Sequence, residues 1–321
     1  SLPYRWAVAI GSMLYGAVGL LLAYRLSRRY GSEWACFVAV VACWWATPAA
    51  YYMYVAPGMS HAASLFAVAL FFALWRWTGS GSPLRWAVWG AAAGLMALVR
   101  EQDGLFAVVA LIAALSPRLE TDWVGRIKRM VAFGVSAAVV FSPQLLVYFI
   151  LYGRPAPSPH VQDKMYWTSP HFFEVLFSPQ HGLFFWSPIL LLFLVGGFLL
   201  FRRDREAALA LVVGFFSQVY ISGAVDSWTQ AGAFGSRRFL GATVIFAVWG
   251  GVLLFRLAAR IRRVGVAAIV VFFVLWNVSL MIQFGLGIMD RQRLIWGEIV
   301  HNHIFEVPPR LGSVISRYLN V

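Results

Sequence analysis

Residues 239–255 read FLGATVIFAVWGGVLLF and residues 264–285 read VGVAAIVVFFVLWNVSLMIQFG, and neither run holds a charged residue. Between them, RLAARIRR (residues 256–263) carries four arginines. Two uncharged runs of roughly the 20 residues that span about 30 Å of hydrocarbon, separated by a short basic linker, read as two transmembrane helices. The pattern repeats through the chain. Further apolar segments are Tyr4–Tyr24, Ala35–Val55, Ser60–Trp77, Leu84–Val99, Gly104–Ser116, Met130–Ile150, Phe184–Phe201 and Ala207–Gly223. With the pair Phe239–Phe255 and Val264–Gly285 they predict an all-α, polytopic membrane helix bundle of about ten transmembrane helices.

Composition agrees. Apolar residues make up 61% of the 321 and charged residues 12%, whereas soluble domains carry roughly 25% charged residues. A soluble globular domain, a disordered chain and a disulfide scaffold are excluded. The two cysteines, Cys36 and Cys43, lie seven positions apart on one expected helix, about 10 Å at roughly 1.5 Å per residue, too far to bridge.

The net charge of +13 would point a soluble protein towards nucleic acid. In a membrane protein it instead reports sidedness. Alternate loops collect Arg25, Arg28, Arg29, Arg76, Arg85, Arg118, Arg126, Lys128, Arg129, Arg202, Arg203, Arg205, Arg256, Arg260, Arg262 and Arg263, sixteen of the 26 cations. That side is expected to be cytoplasmic. The other side holds all six histidines and eight of the thirteen acids, so the chemistry is expected to face outward. It also holds the longest loops, residues 151–183 and 286–321. The expected division is therefore a transmembrane domain over residues 1–285, including the external loop 151–183, and an extracytoplasmic tail over residues 286–321. Both ends of residues 1–321 then lie outside, which predicts an upstream segment. Trp75, Trp77, Trp86, Trp123, Trp167 and Trp186 fall near span ends and are expected to be interfacial anchors.

Three polar clusters are candidates for function. Arg100, Glu101, Gln102 and Asp103 join the fourth and fifth apolar segments, and the fifth is so short that the tip is expected at membrane depth. Ionisable groups there are costly and usually face a bundle interior or wet cavity; a self-neutralised turn with Arg100 paired to Glu101 or Asp103 is the alternative. Arg237 and Arg238 follow Gly235 and Ser236 at an outer helix start, after the polar loop Asp226, Ser227, Trp228, Thr229, Gln230. Guanidinium forks match phosphate oxygens, so Arg237 and Arg238 are the expected anion site, snorkelling to lipid headgroups being the alternative. Gln180 and His181 before Gly182, and His61 after the turn Tyr54–Ser60, are expected with Glu101 and Gln102 to line the cavity. His301 and His303 are too few to make a metal site. No metal ligand and no cofactor is assigned, a divalent metal being left undecided, and no nucleotide-binding loop or nucleophile elbow is present.

In the order of these features the chain resembles the GT-C superfamily of membrane glycosyltransferases, which includes protein O-mannosyltransferases, the lipid A aminoarabinose transferase and bacterial family 39 relatives. The resemblance is spread over Tyr24–Leu26 and Arg29–Gly31, Thr47–Pro48, Ala56–Ala62, Gly94–Leu95 with Leu98–Gly104, His181–Leu183 with Ser187–Pro188, and Gly235–Leu240. It implies transfer of a sugar, with inversion, from a polyprenyl-phosphate donor to an acceptor at the extracytoplasmic face of a membrane, most simply the bacterial inner membrane. It also implies a catalytic aspartate in a first external loop, which nothing before Tyr4 supplies. An upstream segment or another membrane subunit is therefore expected as partner, beside membrane lipids and the donor, with no role for nucleic acid. Within this chain the resemblance implies Arg237, Arg238 and Arg100 as donor-phosphate ligands, and Asp226 and Asp103 are the fallback acids. Two other functions remain open: a non-catalytic scaffold subunit with the same fold, and a lipid or polysaccharide transporter.

Overall fold

The computed structural model describes residues 2–78, 81–119, 121–310 and 312. Residues 311 and 313–321 of the expected tail lie outside that set. Among the described residues there are thirteen α-helices and no strand, apart from an isolated bridge between Met165 and Val225. The helices are α1 (Leu2–Ser27), α2 (Glu33–Trp45), α3 (His61–Thr78), α4 (Pro83–Val99), α5 (Val109–Leu115), α6 (Trp123–Tyr152), α7 (Pro159–Gln162), α8 (Glu174–Phe177), α9 (Leu183–Trp186), α10 (Pro188–Leu200), α11 (Arg205–Ala224), α12 (Thr243–Leu286) and α13 (Trp296–His301).

Among the described residues, five helical stretches are long and apolar enough to cross a bilayer: Leu2–Ser27, His61–Thr78, Trp123–Tyr152, Arg205–Ala224 and Arg237–Leu286. Glu33–Trp45, Pro83–Val99 and Pro188–Leu200 are apolar but shorter. The chain is thus an all-α membrane bundle, while helix length does not by itself carry a count of ten spans.

Local chemistry explains the shortfalls. Pro48, which lacks a backbone donor, follows the end of α2 at Trp45, and the chain continues as a π-helical turn, Tyr51–Val55. Pro188 likewise splits the expected Phe184–Phe201 span into α9 and α10. The expected Gly104–Ser116 helix begins as a 3₁₀-helix, Glu101–Val108, before α5. The basic linker expected as a loop is helical on both sides of Arg262, which alone leaves helical geometry within α12 (φ 61°, ψ 165°). Arginine, alanine, leucine and isoleucine lack the helix-breaking chemistry of proline or glycine.

The bundle is apolar outside as well as inside. On α6, Val131, Val135, Val139 and Leu146 are all more than half exposed, as a lipid-facing helix requires. Small residues allow the close internal approaches: Gly90 and Gly94 of α4 lie against the backbone of Phe133 and Ala137 on α6, a small-xxx-small contact of the kind that draws membrane helices together. Cys36 and Cys43 are free and buried. Trp77, Trp123 and Trp167 are exposed, as anchors would be, but Trp75, Trp86 and Trp186 are buried. Trp86 packs edge-on to Trp89, and Trp186 stacks on His181. Position near a span end did not reveal that these rings face neighbouring helices.

At the arginine-rich end, Asp204 caps α11 by accepting from the Ala207 amide at 3.1 Å. It also pairs with Arg118 at 3.0 Å and Arg76 at 3.7 Å. Burial opposes its ionisation, but the Ala207 amide and Arg118 outweigh it and hold the carboxyl below its usual 3.8.

Candidate functional site

At the opposite end, the tip between α4 and α5 meets the segment that starts α12. Arg100 closes α4 in an extended conformation (φ −153°, ψ 119°), so its side chain leaves the helix. One guanidinium nitrogen donates to His61 Nδ1 at 2.8 Å and another to Gln102 Oε1 at 2.9 Å. An imidazole nitrogen that accepts from a guanidinium carries no proton, so His61 is neutral with its hydrogen on Nε2. Tyr52 holds the ring edge-on at 4.6 Å and accepts from the Phe234 amide at 3.1 Å. Arg100 therefore makes no salt bridge with Glu101 or Asp103 among the described residues.

Gln102 joins the two segments. Its amide donates to the Arg238 carbonyl at 3.0 Å, and its own carbonyl accepts from Gln218 Nε2 of α11 at 3.2 Å. The Arg238 amide donates to Gln230 Oε1 at 3.1 Å, and its guanidinium to Ser227 Oγ at 2.9 Å and the Ser222 carbonyl at 3.4 Å. Arg237 lies beside the Tyr52 hydroxyl and Met59 Sδ. Gly235 turns the chain into this segment at φ 60°, and a Cβ there would strike Pro48.

The three arginines are close enough to repel one another: Arg100 and Arg237 both act on Arg238, and all three act on His61. Among the described residues none of the three has a carboxylate within salt-bridge distance. Next to Arg238 opens a cavity of about 600 Å³ lined by Glu101, Gln102, Leu105 and Arg238, by Ile221 of α11 and Val225 just after it, and by Pro157, Val161, Gln162, Met165 and Trp167 of the external loop; Arg100 and Arg237 are not in its wall. That loop is tied to the end of α11 by the Tyr166 amide on the Ala224 carbonyl (2.6 Å) and the Asp226 amide on the Lys164 carbonyl (2.8 Å).

The other candidates are placed differently. Asp103 is fully buried, with Oδ2 accepting from Ser64 Oγ at 2.5 Å, and is sealed from that cavity. Asp226 is exposed, next to the wall residue Val225. His61 stands behind Arg100. Gln180 is exposed, and His181, buried at φ 69°, is a strut between loops rather than a wall of this cavity. Its two nitrogens meet the Thr229 and Ala233 carbonyls at 2.7 and 2.8 Å. Burial holds the His181 pKa below the ordinary value, against the pull of those two oxygens. His303 packs on Trp276 and bonds Gln283, and no group of three metal-ligating side chains occurs among the described residues. Sequence reading missed Ser64, Tyr52 and Gln218, whose roles depend on partners far away in the chain, and named Gln230 only as part of the polar loop. Gln230 gave one local signal, a polar residue in a tight turn, where it adopts φ 52°.

Residues 4–147 match the family of dolichyl-phosphate-mannose-protein mannosyltransferases. No curated protein and no solved structure matches the chain. The family match bears out the resemblance to GT-C membrane glycosyltransferases; it includes His61 and the Arg100–Asp103 tip and ends before the segment that carries Arg237 and Arg238.

Proposed function

We propose that this relative of the GT-C membrane glycosyltransferases transfers a sugar from a polyprenyl-phosphate donor to an acceptor at the extracytoplasmic face of the bacterial inner membrane. Arg100, Arg237 and Arg238 hold the donor phosphate. The observation that carries the reading is the gathering of three mutually repelling guanidinium groups, unpaired with carboxylates among the described residues, of which Arg238 lines a cavity of about 600 Å³. Like charges held together destabilise the bundle unless an anion joins them, and planar forks suit phosphate.

The chemistry follows from charge. A sugar linked through a phosphodiester carries one negative charge; when the acceptor oxygen attacks the anomeric carbon and the carbon–oxygen bond to phosphate breaks, the leaving monophosphate gains a second. Cations near that phosphate therefore bind the transition state more tightly than the ground state, which lowers the barrier. Attack from the face opposite the phosphate inverts the anomeric centre. The acceptor proton must go to a base. Of the carboxylates, Glu101 lies in the cavity wall, and we assign it that role ahead of Asp226 and the sealed Asp103. Residues 1–285 form the membrane unit. Residues 286–321 are assigned as an outer appendage, its described part held to the membrane unit where the Leu294 amide donates to the Pro179 carbonyl and Gln283 meets His303.

The test is sugar transfer from a polyprenyl-phosphate donor by the complete protein in liposomes. Glu101→Gln should lower kcat by about a hundredfold or more, as removal of a general base does, and leave donor affinity unchanged. Equal turnover by Glu101→Gln and the unmodified protein would remove the glutamate from the reaction.

A further inference from the structure

A second cavity lies at the other end of the bundle, away from Arg100, Arg237 and Arg238. It measures about 630 Å³ and lies between the end of α5 and the start of α11. Its polar side carries Arg118, Arg202, Arg203 and Arg205 against a single acid, Glu206. The arginines are not equivalent. Arg118 is engaged by Asp204 at 3.0 Å and Glu206 at 3.5 Å. Arg203 donates to the Tyr30 and Arg29 carbonyls at 2.5 and 3.3 Å. Arg202 and Arg205 are exposed, and among the described residues their side chains have neither ion-pair nor hydrogen-bond partners. The rest of the wall is apolar, with Leu115, Phe201 and Leu209 all exposed.

We infer that this cavity binds one anionic glycerophospholipid, its phosphate between Arg202 and Arg205 and its acyl chains along Leu115, Phe201 and Leu209. Charge and polarity select this occupant. Two free guanidinium groups call for an anion, and each forms the forked contact that phosphate accepts. The apolar wall excludes a small hydrated anion, which would gain nothing from it. A phosphate with acyl chains satisfies both surfaces at once. The volume lies within the roughly 300 to 1,000 Å³ typical of small-molecule sites. The arginine-rich end is also the end that the positive-inside rule assigns to the leaflet rich in anionic lipid. Loss of a cation near such a headgroup weakens binding by about 1 kcal/mol, or roughly fivefold.

The experiment is a thermal-unfolding titration of the full chain in uncharged detergent with phosphatidylglycerol, phosphatidylcholine or inorganic phosphate. Phosphatidylglycerol should raise the unfolding midpoint saturably, with an apparent affinity at least tenfold above that for phosphatidylcholine, and inorganic phosphate at the same concentration should leave the midpoint unchanged. Arg202→Gln with Arg205→Gln should weaken the phosphatidylglycerol response by about thirtyfold. Equal responses to the two lipids, an equal response to inorganic phosphate, or full phosphatidylglycerol affinity in the double variant would each overturn the assignment. The first two comparisons use the unmodified chain and stand even if the double variant fails to fold.

Discussion

Two carboxylates with opposite surroundings show what single residues contribute. Asp103 is enclosed with one oxygen on Ser64 and the other unpartnered, whereas Asp204 sits among an amide and two arginines. Because the Asp204 pKa is lowered on folding, its stabilisation is present above its unfolded value near 4 and is lost as pH falls through the lower folded value. Asp204→Asn, which keeps the cap oxygen and removes the charge, should therefore cost about 1 kcal/mol at pH 7, from the partly screened ion pairs. The difference from the unmodified protein should shrink as unfolding is followed from pH 7 down to pH 3. A gap that stays constant over that range would contradict the assignment. His181→Phe should cost about 1 to 3 kcal/mol, because it removes the single N–H of a neutral ring and leaves the carbonyl that it serves, of Thr229 or Ala233, without a donor; protease sensitivity of residues 226–236 would report it. The residue types at the site were legible in the sequence: Arg100, Gln102, Arg237 and Arg238 stood out as polar groups beside apolar runs. The meeting of Arg100 with Arg237 and Arg238 was expected, but the individual bonds were not legible, since His61 meets Arg100 across 39 positions and Gln102 meets Arg238 across 136, and no local pattern encodes such pairings.

Helices were legible wherever an apolar run continued without interruption, as in α3, α6 and α11. The breaks depended on single residues. Pro48 and Pro188 are helix breakers that the expected spans Ala35–Val55 and Phe184–Phe201 ran through, and nothing local distinguishes Arg262, where α12 bends, from its neighbours Arg260 and Arg263. Packing between elements is encoded in small residues whose meaning depends on the opposite helix. Gly90→Ala would drive a Cβ into the Phe133 carbonyl across the α4–α6 contact, and overpacking of that kind costs about 1 to 3 kcal/mol. Gly134→Ala on α6 meets nothing within 4 Å and should be neutral or stabilising by up to about 1 kcal/mol from helix propensity. Unfolding of the two variants in detergent checks the pair, and equal effects would show that α4 and α6 do not pack this closely.

For the whole molecule, the sequence gathers charge by side, and the structure places the arginines accordingly: Arg76, Arg118 and Arg203 lie around Asp204 and Tyr30 at one end, while Arg100, Arg237 and Arg238 lie around His61 at the other. The second group gives the molecule its function in this account. Its most direct test is equilibrium binding of a polyprenyl-phosphate sugar to the chain, unmodified and with Arg238→Ala, Arg237→Ala or either lysine replacement. Loss of one charge-assisted phosphate contact, worth about 1.5 to 3 kcal/mol, predicts a tenfold to hundredfold weaker dissociation constant in each alanine variant. Lysine should recover only part of it, because an ammonium keeps the charge but not the fork. Saturable binding that weakens in this order is the predicted result; donor affinity unchanged in both alanine variants would contradict it.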